Sequence, residues 1–269
     1  MEALQRSIYL EKVERARRMT VSERLSAGIE LFEESVGRMK VGVRLRFPEA
    51  DESELNQRVC DQLAQLQAWH ERPHFAIMTG LEVVNAVLEA LEKAEAPYML
   101  TGSLASNVYG IARATKDADI VVDFAVANLD EIMAHMDARI HLQAQMMFET
   151  ITGTTRHVLE VAQSPFKVEL FHVNPDPFMT QRFARKIQAD YPELGRKVWL
   201  PTAEDVVIQK LRWGREKDLS DVHDVLFVSW DGLDYAYIRK WCAMHETTNT
   251  LEEILLKLPP EIRDSTGAP

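Results

Sequence analysis

The stretch from Tyr98 to Val122 constrains this chain most. A short apolar run, Tyr98-Met99-Leu100-Thr101, ends in Gly102-Ser103. Leu104 to Tyr109 suits one or two helical turns and stops at Gly110, and Asp117-Ala118-Asp119 then opens a β-branched run, Ile120-Val121-Val122. The pattern predicts strand, tight turn, short helix, strand. Gly102, lacking a Cβ, lets the backbone turn sharply and approach a ligand closely. Ser103 would stand at a helix N-terminus, where free N–H groups and the helix dipole favour an anion such as a phosphate. Asp117 and Asp119 are two apart in a predicted strand, so they leave the same face and can share a hard cation. Two carboxylates beside a phosphate cradle are suited to holding Mg²⁺ against a nucleotide.

This arrangement resembles the nucleotidyltransferase superfamily of the polymerase-beta type, whose signature is Gly-Ser followed at about this distance by Asp-x-Asp on the next strand. The wording Leu100-Thr101-Gly102-Ser103-Leu104-Ala105-Ser106-Asn107-Val108-Tyr109-Gly110 and Arg113-Ala114-Thr115-Lys116-Asp117-Ala118-Asp119-Ile120 is similar to the bacterial branch that includes the AbiE-type toxins. The resemblance covers roughly Phe75 to Leu258. It implies an α+β fold, a mixed β-sheet flanked by helices. It also implies two Mg²⁺ ions held by Asp117 and Asp119. In the family a third carboxylate, usually Asp, lies on a neighbouring strand, and here Glu169 matches it as metal ligand or proton acceptor. The helix after Thr202-Ala203-Glu204-Asp205 carries Lys210, which the resemblance places at the nucleotide phosphates beside Gly102 and Ser103.

Composition bounds the remaining classes. At 269 residues, 46% hydrophobic and 27% charged, the chain is long enough for one large domain or two small ones and is not of the disordered type. It has no apolar run of membrane-spanning length, and its first residues lack an apolar signal core, which leads to the expectation of a cytoplasmic protein. Cys60 and Cys242 are too few and too far apart for a disulfide framework or a cysteine zinc site. The net charge of −11 disfavours broad, charge-driven nucleic-acid binding. The charge is uneven, however: Gln181 to Lys217 holds nine Lys/Arg against five Asp/Glu. A basic patch beside an acidic metal site is one reading of this, and ordinary solvated surface is the other.

In chain order, residues 1–73 read as an all-helical front. Ile8, Val13 and Ala16 space an apolar face. Thr20-Val21-Ser22-Glu23 forms a capping box opening a helix with Leu25, Ile29, Leu31, Phe32, Val36 and Met39 inward. Asp51 caps a third helix with Leu55, Val59, Leu63 and Leu66 at helical spacing. His70-Glu71-Arg72-Pro73-His74 matches a zinc-protease pattern, but Pro73 would break the helix that pattern requires. Thr79-Gly80-Leu81-Glu82 is a second capping box, and a helix is predicted from about Asn128 to Ala138. Residues 140–155 carry no readable pattern. Two strands are predicted, Arg156 to Val161 and Phe166 to His172, and Pro175-Asp176-Pro177-Phe178 then breaks the sheet. Asp218, Asp221 and Asp224 recur on one side of a helix, where they either orient Lys210, contact substrate or are simply solvated.

The expected organisation is therefore a helical region over 1–73, a nucleotidyltransferase core over 74–200 and a C-terminal helical part over 201–269. The resemblance implies transfer of a nucleoside monophosphate from an NTP to an acceptor hydroxyl, on RNA (a tRNA 3′ end in particular), on protein or on a small molecule. The rival from another class is a nucleotide-binding or interaction protein that keeps the fold without turnover. The front, with no catalytic constellation of its own, reads either as a docking module or as a built-in inhibitor, comparable to an antitoxin carried in the same chain.

Overall fold

Helices here start where side chains can replace missing backbone partners. Thr20, Thr79 and Asn128 each accept a bond from the backbone N–H three residues on, and Glu23, Glu82 and Glu131 close the reciprocal bond. Such a cap contributes about 1 kcal/mol. The computed structural model describes residues 2–67, 78–149, 153–161 and 164–263. The front contains α1 (Glu2–Arg18), α2 (Val21–Arg46) and α3 (Glu52–Gln67). The His70–His74 pattern lies outside the described residues. Next come α4 (Gly80–Lys93), β1 (Tyr98–Thr101), α5 (Gly102–Tyr109), β2 (Asp117–Val122), α6 (Leu129–Ala134), β3 (Ile140–Leu142), β4 (Met147–Glu149), β5 (Thr154–Val161) and β6 (Lys167–His172). The remainder is α7 (Pro177–Ala184), the hairpin β7 (Ile187–Tyr191) and β8 (Arg196–Leu200), then α8 (Ala203–Trp213), α9 (Glu216–Val228), α10 (Tyr235–Met244), α11 (Thr248–Leu255) and α12 (Pro260–Arg263).

The fold is α+β. Its main sheet runs β1-β2-β6-β5-β3, with β4 also on β5, and among the described residues only the β2–β6 pair is parallel. One face is apolar: Leu100, Ala118, Ile120, Val122, Val168 and Leu170 pack against α4, whose Val83, Val84, Val87, Leu88 and Leu91 are fully buried. A second core joins α8 to α11 with Phe178 and with Val13 and Ala16 of α1. Between the two lies α5, which gives Leu104 and Val108 to the first core and Ala105 to the second. No helix among the described residues is long and apolar enough to cross a membrane.

Several expectations shift. Leu25 and Ile29 of α2 are fully buried, not in a core of the front alone but in the one shared with the sheet. Leu31 and Ile8, expected inward, are exposed, because a straight 3.6-residue period runs on past the point where a helix leaves its neighbour. The helix predicted to Ala138 ends at Ala134. The sheet does break before Pro175, and a helix follows: Asp176 accepts a bond from Met179 N, and Pro177 occupies the first turn of α7, where its missing N–H costs nothing. The β7–β8 hairpin was not anticipated at all.

Candidate active site

Strand β1 delivers the chain from the core to the site. Thr101 occupies the N-cap position of α5 but makes no capping bond. Its hydroxyl instead accepts from Arg182, an arginine buried beneath the sheet end. The first N–H groups of α5 are therefore not capped by Thr101, the condition in which a helix N-terminus is open to an anion. Gly102 has φ +61, and a Cβ there would fall 1.7 Å from Asp119 Oδ2. The glycine thus brings the helix start against an aspartate carboxylate. Changing Gly102 to Ala would add the left-handed penalty of about 1–2 kcal/mol and displace Asp119. We expect a lower melting temperature, checked by thermal denaturation; an unchanged one would contradict this close approach.

Asp117 and Asp119 share the face of β2 opposite the core, since Ala118 and Ile120 between and beyond them are fully buried. Register places Thr101, Asp119 and Glu169 side by side on β1, β2 and β6. The Thr115 hydroxyl lies 3.0 Å from Asp117 Oδ1. Loss of surrounding water pushes the Asp119 carboxyl up to about 7, and the negative charges of Asp117 and Glu169 add to this. Burial also raises the Glu169 carboxyl, while Arg156, whose Nη1 is 3.2 Å from Glu169 Oε2, works in the opposite direction. Desolvated, mutually repelling carboxylates are groups that a divalent cation would stabilise. Among the described residues, no group of three or more His, Cys, Asp or Glu side chains closes around one point as a metal shell. Asp117 and Asp119 nonetheless fit the donor set of Mg²⁺, which takes one or two carboxylates and completes its shell with water and phosphate oxygens.

Behind Ser103 lies a buried ionic cluster. Lys210 on α8 is bonded to Asp218 Oδ1 at 3.1 Å and to Asp221 Oδ2 at 2.6 Å, both on α9. Its side chain is only 4% exposed. Asp218 also pairs with Arg215, and Asp221 with Arg113. Arg113, from the loop between α5 and β2, donates to Asp221 at 2.7 and 2.9 Å and reaches Ser103 Oγ at 3.0 Å. Asp224 turns away from this cluster and accepts from Tyr9 of α1 at 2.5 Å.

The structure thus brings Gly102, Ser103, Asp117, Asp119 and Glu169 together across the adjacent strands β1, β2 and β6, with Lys210 sealed behind them. Sequence reasoning missed Arg113, Arg156 and Arg182. Arg182 was expected as surface charge, yet it is buried, with its guanidinium lowered to about 10 chiefly by desolvation. Part of the basic surplus of 181–217 is likewise paired within the fold. Arg185 faces Glu204 and Asp205, Arg196 faces Glu89 and Glu92, and Arg212 faces Asp176.

The Rv0078B-related antitoxin family matches residues 17–76. No curated protein matches the chain. Among solved structures, the chain is similar to an antigenic nucleotidyltransferase-like protein from Paracoccidioides brasiliensis, with 17% identity, 69% of this chain and 91% of that one covered, and a TM-score of 0.49. It is also similar to ANT(2″)-Ia, solved in complex with adenylyl-2″-tobramycin, with 11% identity, 64% and 99% covered, and a TM-score of 0.46. A third is JHP933 from Helicobacter pylori, with 14% identity, 70% and 85% covered, and a TM-score of 0.39. At these scores the likenesses carry nothing about chemistry, which rests on the residues of this chain.

Proposed function

We propose that this chain is a Mg²⁺-dependent nucleotidyltransferase that moves a nucleoside monophosphate from an NTP to an acceptor hydroxyl and releases pyrophosphate. The observation that carries the reading is the contact between Gly102 and Asp119: an uncapped helix start and a carboxylate pair meet at one point. The α5 N–H groups and Ser103 bind phosphate oxygens, and the positive end of the helix dipole favours their charge. Asp117 and Asp119 are the residues that would hold Mg²⁺, which when bound neutralises phosphate charge and lowers the pKa of the attacking hydroxyl. Glu169, with its carboxyl raised, takes the acceptor proton at its free oxygen while Arg156 orients the other.

One observation favours a second reading, a nucleotide-binding protein without turnover: Glu169 is engaged by Arg156 and does not complete a shell with the two aspartates. Incubation with each of the four α-labelled NTPs, Mg²⁺ and total bacterial RNA and protein separates the two. Pyrophosphate release with label on RNA, protein or a small molecule supports transfer and names the acceptor class. Binding without release supports the second reading.

The antitoxin-family match falls on the helical front, which supports reading that segment as a module borrowed from regulation. Its α2 is nevertheless built into the catalytic core: Ser26 donates to Tyr191 at 2.9 Å, and the Gly28 carbonyl accepts from Thr115 N at 2.9 Å. We read it as permanently docked and supporting the loop that leads into Asp117.

A further inference from the structure

We propose that Arg113, rather than Lys210, is the side chain that grips the triphosphate, and that Asp221 is the positioning residue that aims it. This rests on the nucleotidyl-transfer reading above. Lys210 has three donor hydrogens; two are spent on Asp218 and Asp221, and its ammonium lies 5.5 Å from the centre of the Trp213 ring. Asp218 and Asp221 are themselves buried. For Lys210 to turn toward a phosphate, it would have to abandon two carboxylates that water cannot reach, an unfavourable exchange. Its place is that of an internal counter-charge.

Arg113 shares Asp221 with Lys210 but differs in exposure and reach. Its side chain is 36% exposed, nine times the exposure of Lys210, and it already touches the cradle at Ser103 Oγ. Nε and Nη2 are used by Asp221 and Ser103, while Nη1 makes no hydrogen bond among the described residues. The two Nη1 hydrogens are left for phosphate oxygens while the anchored Nε and Nη2 hold the guanidinium plane in place.

The loop that carries it is fixed from both sides. Asn107 of α5 accepts from Arg113 N at 3.1 Å and donates to Arg113 O at 2.9 Å. From α2, Gly28 packs so closely that a Cβ would lie 2.0 Å from Asn107 Nδ2 and 2.7 Å from Arg113 O. Asp221 then fixes the guanidinium itself through a fork of two bonds, and Ser106 donates to the same carboxylate at 3.3 Å. Binding therefore needs little ordering of this side chain, which is the condition for strong use of a single arginine.

The test is calorimetric titration of inorganic tripolyphosphate, with Mg²⁺, into the full-length protein and its variants. R113A should weaken binding about 10- to 100-fold at a temperature where it is folded, with a lower melting temperature because buried Asp221 loses one of its two cationic partners, and R113K should recover only part of the affinity, since a point charge lacks the fork. D221N should weaken binding in the parent but not in R113A, because its effect passes through that guanidinium. Unchanged affinity in R113A would overturn the inference, and an equal D221N effect with and without Arg113 would overturn the positioning role. K210M should lower the melting temperature and keep tripolyphosphate affinity at a temperature where it is folded; loss of affinity there would restore Lys210 as the phosphate ligand. If K210M does not fold, the Arg113 pair decides alone. A parent protein that binds neither tripolyphosphate nor any NTP refutes the nucleotidyl-transfer reading instead, which keeps the two failures distinguishable.

Discussion

Replacing Asp117 and Asp119 together by Asn is expected to abolish pyrophosphate release, by at least about 10³-fold, while the protein stays folded. The size follows from removing charges aimed at the reacting phosphate, where loss of even one preorganised electrostatic contact costs about 10²–10³ in rate. The fold should tolerate the change because the two side chains leave the strand face opposite the core. Asp119 also lies beside Asp117 and Glu169, and burial together with their charges raises its carboxyl to about 7. An uncharged amide there relieves repulsion, so the melting temperature should hold or rise. Activity and thermal denaturation measured on the same sample check both halves. Undiminished release would remove the aspartate pair from the mechanism, and loss of fold would make it structural.

The second large effect is at the front of the chain. Removing residues 1–73 is expected to unfold the protein rather than to release an inhibited enzyme. Leu25 and Ile29 are fully buried in the core that also contains Leu100, Ile120 and Val168. Truncating either to Ala should cost about 2–5 kcal/mol. Together that approaches the whole stability of an ordinary domain, about 5–15 kcal/mol. Denaturant titrations of L25A, I29A and the deletion measure this directly. A soluble, cooperatively folding deletion with raised activity would show instead that the front is a detachable inhibitor. The distal half of α2 differs from the proximal half: with α3 it forms a small cluster of its own, Val43, Ala50, Leu55 and Val59. Substitutions there should disturb the sheet core far less.

What the sequence made legible is what local chemistry governs. The Thr20 and Thr79 capping boxes, the Thr202 cap, the strand leading to Gly102 and the aspartate alternation on β2 all follow from neighbours within a few residues. The structure contains each of them. The β7–β8 hairpin was not legible because Ile187-Gln188-Ala189-Asp190-Tyr191, though it alternates, is short, contains the strand-poor residues Ala and Asp, and leaves Ile187 exposed. Its turn is set by Gly195 at φ +64, a signal too common to stand out alone. The site was legible at its carboxylates and not at its cations. Nothing local in the sequence separates Arg113 and Arg182 from surface charge, and only the resemblance places Lys210 at the phosphates. Their fates diverge because partners more than eighty residues away in the chain reach Arg113 and Arg182, with Arg113 on Asp221 and Arg182 on Thr101, while Lys210 is enclosed by α9. No spacing rule encodes such contacts.

The most direct test of the central claim is a calorimetric titration of the unmodified protein with non-hydrolysable analogues of the four NTPs, each with and without Mg²⁺. The account predicts that at least one analogue binds in the presence of Mg²⁺ and loses most of its affinity when the metal is withheld, because the Asp117–Asp119 pair repels an unshielded triphosphate. If none of the four binds in either condition, the cradle at Gly102 and Ser103 is not a nucleotide site and the account is wrong.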